Sequence, residues 1–213
     1  MDRTGVDVQV LSLTTPGVER ETPQRGVKLA KITNDAFAGI EKKYKRFRAL
    51  ATLPMQDPGA AADELTRAYN DLGLKDAMIP SNVNGVPLDA PDFQPVFERA
   101  NKLGALLYIH PTSPMNTARM ADYRPVPLIV FGVDTSLTVL RLIRGVVEKY
   151  PRLKLGASNL GGVYPFLKGR IDLGLEVYLE CWVNIPRPPS EYLKNIYVDS
   201  CGYDTAVIGF VQA

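Results

Sequence analysis

The feature that most restricts this chain is an alternation of scale. Short apolar runs of five to eight residues recur along it: Val6–Leu13, Phe47–Leu53, Asp76–Pro80, Ala105–Ile109, Leu153–Ser158 and Ile196–Ser200. Runs of this length and apolarity suit parallel strands covered on both faces. Between them lie longer stretches with apolar residues three and four apart. Lys28–Lys43 carries Leu29, Ile32, Ala36 and Ile40, and Ala60–Asp71 carries Leu65 and Ala68 ahead of a capping Gly73. Phe93–Lys102 runs up to Gly104, Thr135–Lys149 follows an Asp134 N-cap, and Val163–Leu179 follows a Gly-Gly turn. The resulting β-α-β-α order predicts a parallel sheet with crossover helices, in a single domain over residues 1–213.

Composition narrows the function classes. A net charge of +2 argues against a nucleic-acid partner, and the basic cluster Lys42, Lys43, Lys45, Arg46 and Arg48 reads as a solvated helix end. No segment reads as the roughly 18 apolar residues of a membrane span, and MDRTGVDVQVLSL lacks the plan of a signal peptide. Cys181 and Cys201 have no CxxC spacing, so they read as reduced thiols of a cytoplasmic protein.

The chemistry-bearing positions fall at strand ends, where α/β enzymes keep their sites. His110, the sole histidine, closes the run ALLYIH. One histidine does not make a metal site alone; Asp199 and Cys201 are further donors at the end of IYVDS, without metal-ligand spacing. The run LKLGASNLGG ends in Asn159, a side chain that neither takes nor gives a proton near neutral pH. Gly161-Gly162 leaves two uses open, a tight turn or a phosphate cradle at a helix start, with no GxGxxG pattern to favour the second. The proline-rich Pro111–Asp134 reads as a long functional loop.

The runs RALATLPMQDP, LLYIHP, MADYRPVPLIVFGVDTSLTVLRLI, RGVVEKYPRLKL and NLGGVYPFLKGRID resemble the amidohydrolase-2 family, and within it the aminocarboxymuconate-semialdehyde and resorcylate decarboxylase branch. The resemblance covers nearly the whole chain. It implies a metal-dependent (β/α)8 TIM-barrel type fold that decarboxylates, or in some members hydrolyses, small unsaturated or aromatic carboxylic acids. His110 matches the IHP metal ligand, Asn159 falls where the family keeps an acid/base histidine, and Arg170 matches the substrate-contacting arginine of the GRI motif. Tyr123 and Arg124 are further candidates to contact the acid. The implied cofactor is a divalent metal, zinc or manganese; the implied partners are a small carboxylate and a second copy of the chain in a homodimer.

The departures are as specific. The family's first strand with its HxH pair, and its last strand with its Asp, have no counterparts in this sequence. The expectation is therefore an incomplete barrel of about six parallel strands, with incomplete catalytic equipment and a decarboxylase or hydrolase activity that is weak or lost. The alternative is a non-catalytic barrel remnant or gene fragment acting in small-acid binding or oligomerisation.

Overall fold

The computed structural model describes residues 1–112, 125–182 and 184–212. Strand β1 (Gln9–Leu11) leads into helix α1 (Pro23–Lys43), where the Thr22 hydroxyl accepts from the Arg25 N–H and Pro23 occupies the first turn. A proline there removes only an N–H that has no helical partner anyway. Strands β2 (Phe47–Ala49) and β3 (Ala51–Thr52) are two parts of one extended run, and the Leu50 N–H between them donates to the Leu11 carbonyl. Helix α2 (Pro58–Arg67) has the same start as α1, with Asp57 accepting from the Ala60 N–H ahead of Pro58.

The order continues through β4 (Ala77–Pro80), a hairpin of β5 (Asn82–Val83) and β6 (Val86–Pro87), α3 (Gln94–Leu103) and β7 (Leu106–His110). Then come α4 (Phe131–Leu142), β8 (Lys154–Ala157), α5 (Tyr164–Val177), β9 (Ile196–Val198) and α6 (Thr205–Gln212). β1 pairs with β2, and β3, β4, β7, β8 and β9 pair in that order, every pair parallel. All six expected strands are present, most of them shorter than their apolar runs, and they form an incomplete barrel.

The register separates two faces. In β7, Leu107 and Ile109 are fully buried against the helices, while Leu106, Tyr108 and His110 on the other face are only half-buried. Met78, Tyr108, Gly156 and Tyr197 form one row across four strands. The helix-facing side carries the core, with Leu65, Val96, Phe97, Leu142, Ile143 and Val146 all at 0% exposure. Burial of side chains this size contributes on the order of 2 kcal/mol each.

Three expectations need correction. Asp134 caps no helix: Val126–Val147 is one continuous helix, α4 with a wider turn at each end, and Asp134 lies inside it. The loop expected over Pro111–Asp134 is corrected at its end, where Pro125 and Pro127 stand at the start of this helix, a place that tolerates proline, while 113–124 lie outside the described residues. The same 22-residue helix is long and apolar enough to cross a membrane by length and composition, contrary to the sequence reading. Here its inner face, Val139, Leu142, Ile143 and Val146, packs into the core. The β5–β6 hairpin was also unforeseen, although Asn84-Gly85, with φ of 52° and 85°, is the turn dipeptide that signals one.

Candidate functional site

His110 ends β7 in register with Pro80 at the end of β4, and its carbonyl accepts from the Ser81 N–H at 3.0 Å. Its ring meets Phe131 edge-on, with centroids 6.1 Å apart. Burial pushes the imidazole below its ordinary value, against the opposing influence of the Pro111 backbone and the Asp199 charge. The ring is therefore neutral at neutral pH, the form that can ligate a cation. A cavity of about 20 Å³ beside it is lined by Thr15, Glu19, Thr52, Met78 and Thr112, among others. That is room for a water.

The end of β8 is built differently. Asn159, Leu160, Gly161 and Gly162 have φ of 55°, 56°, 73° and 66° in succession. Two of the four carry side chains, in a region that side chains rarely adopt. Every N–H in the turn is used within the protein. Asn159 and Leu160 donate to Asp199, Gly161 to the Ser158 carbonyl and Gly162 to the Asn159 carbonyl. The Val163 and Tyr164 N–H groups at the start of α5 donate to Ser136 Oγ on α4, at 2.7 and 3.1 Å. With the N–H groups of residues 159–164 all engaged within the protein, the tight-turn use of the glycines is favoured over a phosphate cradle.

Gly162 is required twice over. Its ψ of −130° at positive φ is glycine backbone, and a Cβ there would lie 1.8 Å from the Gly132 carbonyl oxygen. That close approach lets Ser136 reach the α5 N-terminus. The Asn159 side chain donates from Nδ2 to Ser158 Oγ at 3.1 Å, and Ser158 in turn pairs with Thr135 Oγ1 at 3.2 Å.

Asp199, one residue beyond β9, is the residue whose role the sequence did not reveal. Oδ2 accepts from the Tyr108 hydroxyl at 2.7 Å and from the Asn159 N–H at 3.1 Å. Oδ1 accepts from the Leu160 N–H at 2.8 Å and the Cys201 N–H at 3.0 Å. Burial, together with this bond to Asp199, pushes the Tyr108 phenol well above its ordinary value, so it stays a donor.

The structure thus brings His110 and Asn159 to the same end of adjacent strands. Arg170 is not brought to them: it lies exposed on α5, its side chain making no hydrogen bond or ion pair among the described residues. Tyr123 and Arg124 lie outside the described residues. Among the described residues no three His, Cys, Asp or Glu side chains converge as a metal-binding group would.

Against known proteins, the amidohydrolase family description matches residues 1–206. A 2-amino-3-carboxymuconate-6-semialdehyde decarboxylase of Dictyostelium discoideum is 37% identical over 99% of this chain and 60% of its own length. The crystal structure of 5-carboxyvanillate decarboxylase from Sphingomonas paucimobilis superposes with a TM-score of 0.92 at 33% identity, over 99% of this chain and 66% of that one. A dihydroxybenzoic acid decarboxylase from Polaromonas sp. JS666, solved with manganese and 2-nitroresorcinol, gives a TM-score of 0.88 at 30% identity, over 99% and 68%. The chain spans about 60% of the length of the curated relatives it matches first.

Proposed function

Because this chain belongs to the amidohydrolase family, matched over residues 1–206, we propose that it serves the decarboxylation or hydrolysis of a small unsaturated or aromatic carboxylic acid at a divalent metal. The observation that carries this reading is the placement of His110 and Asn159 at the C-terminal ends of neighbouring parallel strands. β/α barrels keep their chemistry at that end.

His110 is the side chain here that would hold zinc or manganese, and the Polaromonas relative was solved with manganese. One imidazole is a single ligand where a catalytic ion uses about three from the protein. With no group of three donors among the described residues, these residues do not fit a metal by themselves. Asn159 orients by hydrogen bonding and transfers no proton. Arg170 would supply positive charge for a substrate carboxylate from a neighbouring copy, and Arg124 and Tyr123 are the further candidates to contact that acid. The protein works in the cytoplasm as a single-domain homodimer, with the exposed Arg170 available to a neighbouring copy.

That shortage of metal donors favours a second reading, a non-catalytic barrel that binds a small acid or serves oligomerisation. Two measurements separate the readings: metal content after equilibration with Mn²⁺ or Zn²⁺, and thermal shift and CO₂ release with 2,6-dihydroxybenzoate. About one ion per chain with CO₂ release supports the enzyme. Fewer than about 0.1 ion per chain, with a rise in Tm from the acid, supports the binding protein, since this catalysis depends on the ion. Absence of both metal and acid binding refutes the enzyme and the acid-binding barrel alike and leaves the oligomerisation role to be tested by the oligomeric state. Size-exclusion chromatography showing only monomer at micromolar concentration contradicts the homodimer.

A further inference from the structure

A run of left-handed residues that includes Asn159 and a buried Leu160 persists only where its surroundings over-determine it. The surroundings converge on one carboxylate. Asp199 takes the two N–H groups at the head of the turn, one N–H from its own chain at Cys201, and the Tyr108 hydroxyl. Tyr108 belongs to β7, which is separated from β9 by β8. Its ring reaches Asp199 by crossing β8 at Gly156, where a Cβ would lie 2.8 Å from Tyr108 Cδ2. Leu160 is seated in the same way, over Gly202, where a Cβ would meet Leu160 Cδ1 at 1.9 Å.

We propose that Asp199 is the positioning residue of this site, with Tyr108 as its fixed donor and Gly156 as the clearance that lets Tyr108 reach it. It holds Asn159 at the mouth of the sheet and ties the ends of β7, β8 and β9 to one point. With four donors on two oxygens, Asp199 is fully engaged and serves neither as a metal ligand nor as a base. The importance of this placement rests on reading Asn159 as the acid/base position, but the placement itself is measurable without turnover.

The test is ¹H–¹⁵N spectroscopy and amide exchange on the full chain and its variants. Asp199→Asn should cut protection of the Asn159 and Leu160 amides at least about tenfold, the equivalent of losing a net hydrogen bond. Amides of α2 and α3 should be unaffected. Tyr108→Phe and Gly156→Ala touch neither amide directly, yet both should shift the same two signals. The double variant should shift them no further than Tyr108→Phe alone, because the hydroxyl contact is already gone. Additive shifts in the double variant would show mere packing and overturn the proposal. Unchanged Asn159 and Leu160 signals in Asp199→Asn, or a uniform loss of protection across the chain, would also overturn it. If the local effect is present while the wild-type chain neither binds metal nor releases CO₂, the enzymatic reading fails and the positioning role stands.

Discussion

Replacing Asn34 with alanine should destabilise the protein by about 3–5 kcal/mol. Asn34 lies on α1 at 0% exposure, and its side chain acts as a substitute strand for β3. Oδ1 accepts from the Thr52 N–H at 2.7 Å, and Nδ2 donates to the Thr52 carbonyl at 2.9 Å. Nδ2 also donates to Glu64 Oε1 at 2.7 Å, on a carboxylate buried to 2% exposure and held by Arg67 at 2.8 and 2.9 Å. Truncation leaves a buried N–H without a partner, which costs about 1–3 kcal/mol, and removes a charge-assisted bond of about 1.5–3 kcal/mol. These losses share one network and do not simply add. With a urea m-value of about 3 kcal/mol/M for a chain of this size, the midpoint should fall by roughly 1–1.7 M. Asn34→Asp supplies a control. It keeps the acceptor for Thr52 but sets a second carboxylate against Glu64, so its loss at neutral pH should shrink on acidification. A fall of less than about 1 kcal/mol for Asn34→Ala, at unchanged m, would refute the substitute-strand account.

Three further outcomes follow from the same geometry. Gly162→Ala should cost about 3 kcal/mol or more, by strain at φ 66° and by collision with the Gly132 carbonyl, and thermal denaturation reads it directly. Ser136→Ala removes the acceptor for two N–H groups of α5 and should cost about 1–2 kcal/mol in urea unfolding. Burial pushes the Asp134 carboxyl above its ordinary value, with Ser81 opposing, and its buried Oδ2 has no hydrogen-bond partner among the described residues. A raised carboxyl pKa favours the fold below the unfolded value of about 3.9 and loses that contribution as pH rises through the folded value. Asp134→Asn should therefore stabilise the protein at pH 7 and lose that advantage toward pH 3, as urea midpoints across pH will show.

The strands and their neighbours were legible because the helix-facing positions of a covered parallel strand are apolar and fully buried. That is the signature of Leu107, Ile109, Leu155 and Ala157. The position of His110 at a strand end was legible for the same reason. The start of the long helix was not: prolines 125 and 127 punctuate a sequence whether they stand in a loop or in a first helical turn. Nor was the engagement of Asp199. It depends on Tyr108, 91 residues away, passing over a glycine, and on a turn whose positive φ asparagine tolerates at 159 but no local propensity favours at Leu160. The resemblance singled out Asn159 by its residue type; the structure adds that its backbone is as unusual as its side chain.

The order in which the strands lie side by side is also the order in which they leave the ribosome. β3, β4, β7, β8 and β9 each pair with the strand just before them in that series, so no later strand must be inserted between two earlier ones. Each new strand-and-helix unit can dock on a template already synthesised, across a crossover of a few dozen residues rather than the length of the chain. Loop closure of that span adds little to the entropic barrier. The growing edge, meanwhile, stays unpaired and exposed to association until the next strand arrives. Translation pauses between units should therefore raise misassembly more than pauses inside a helix.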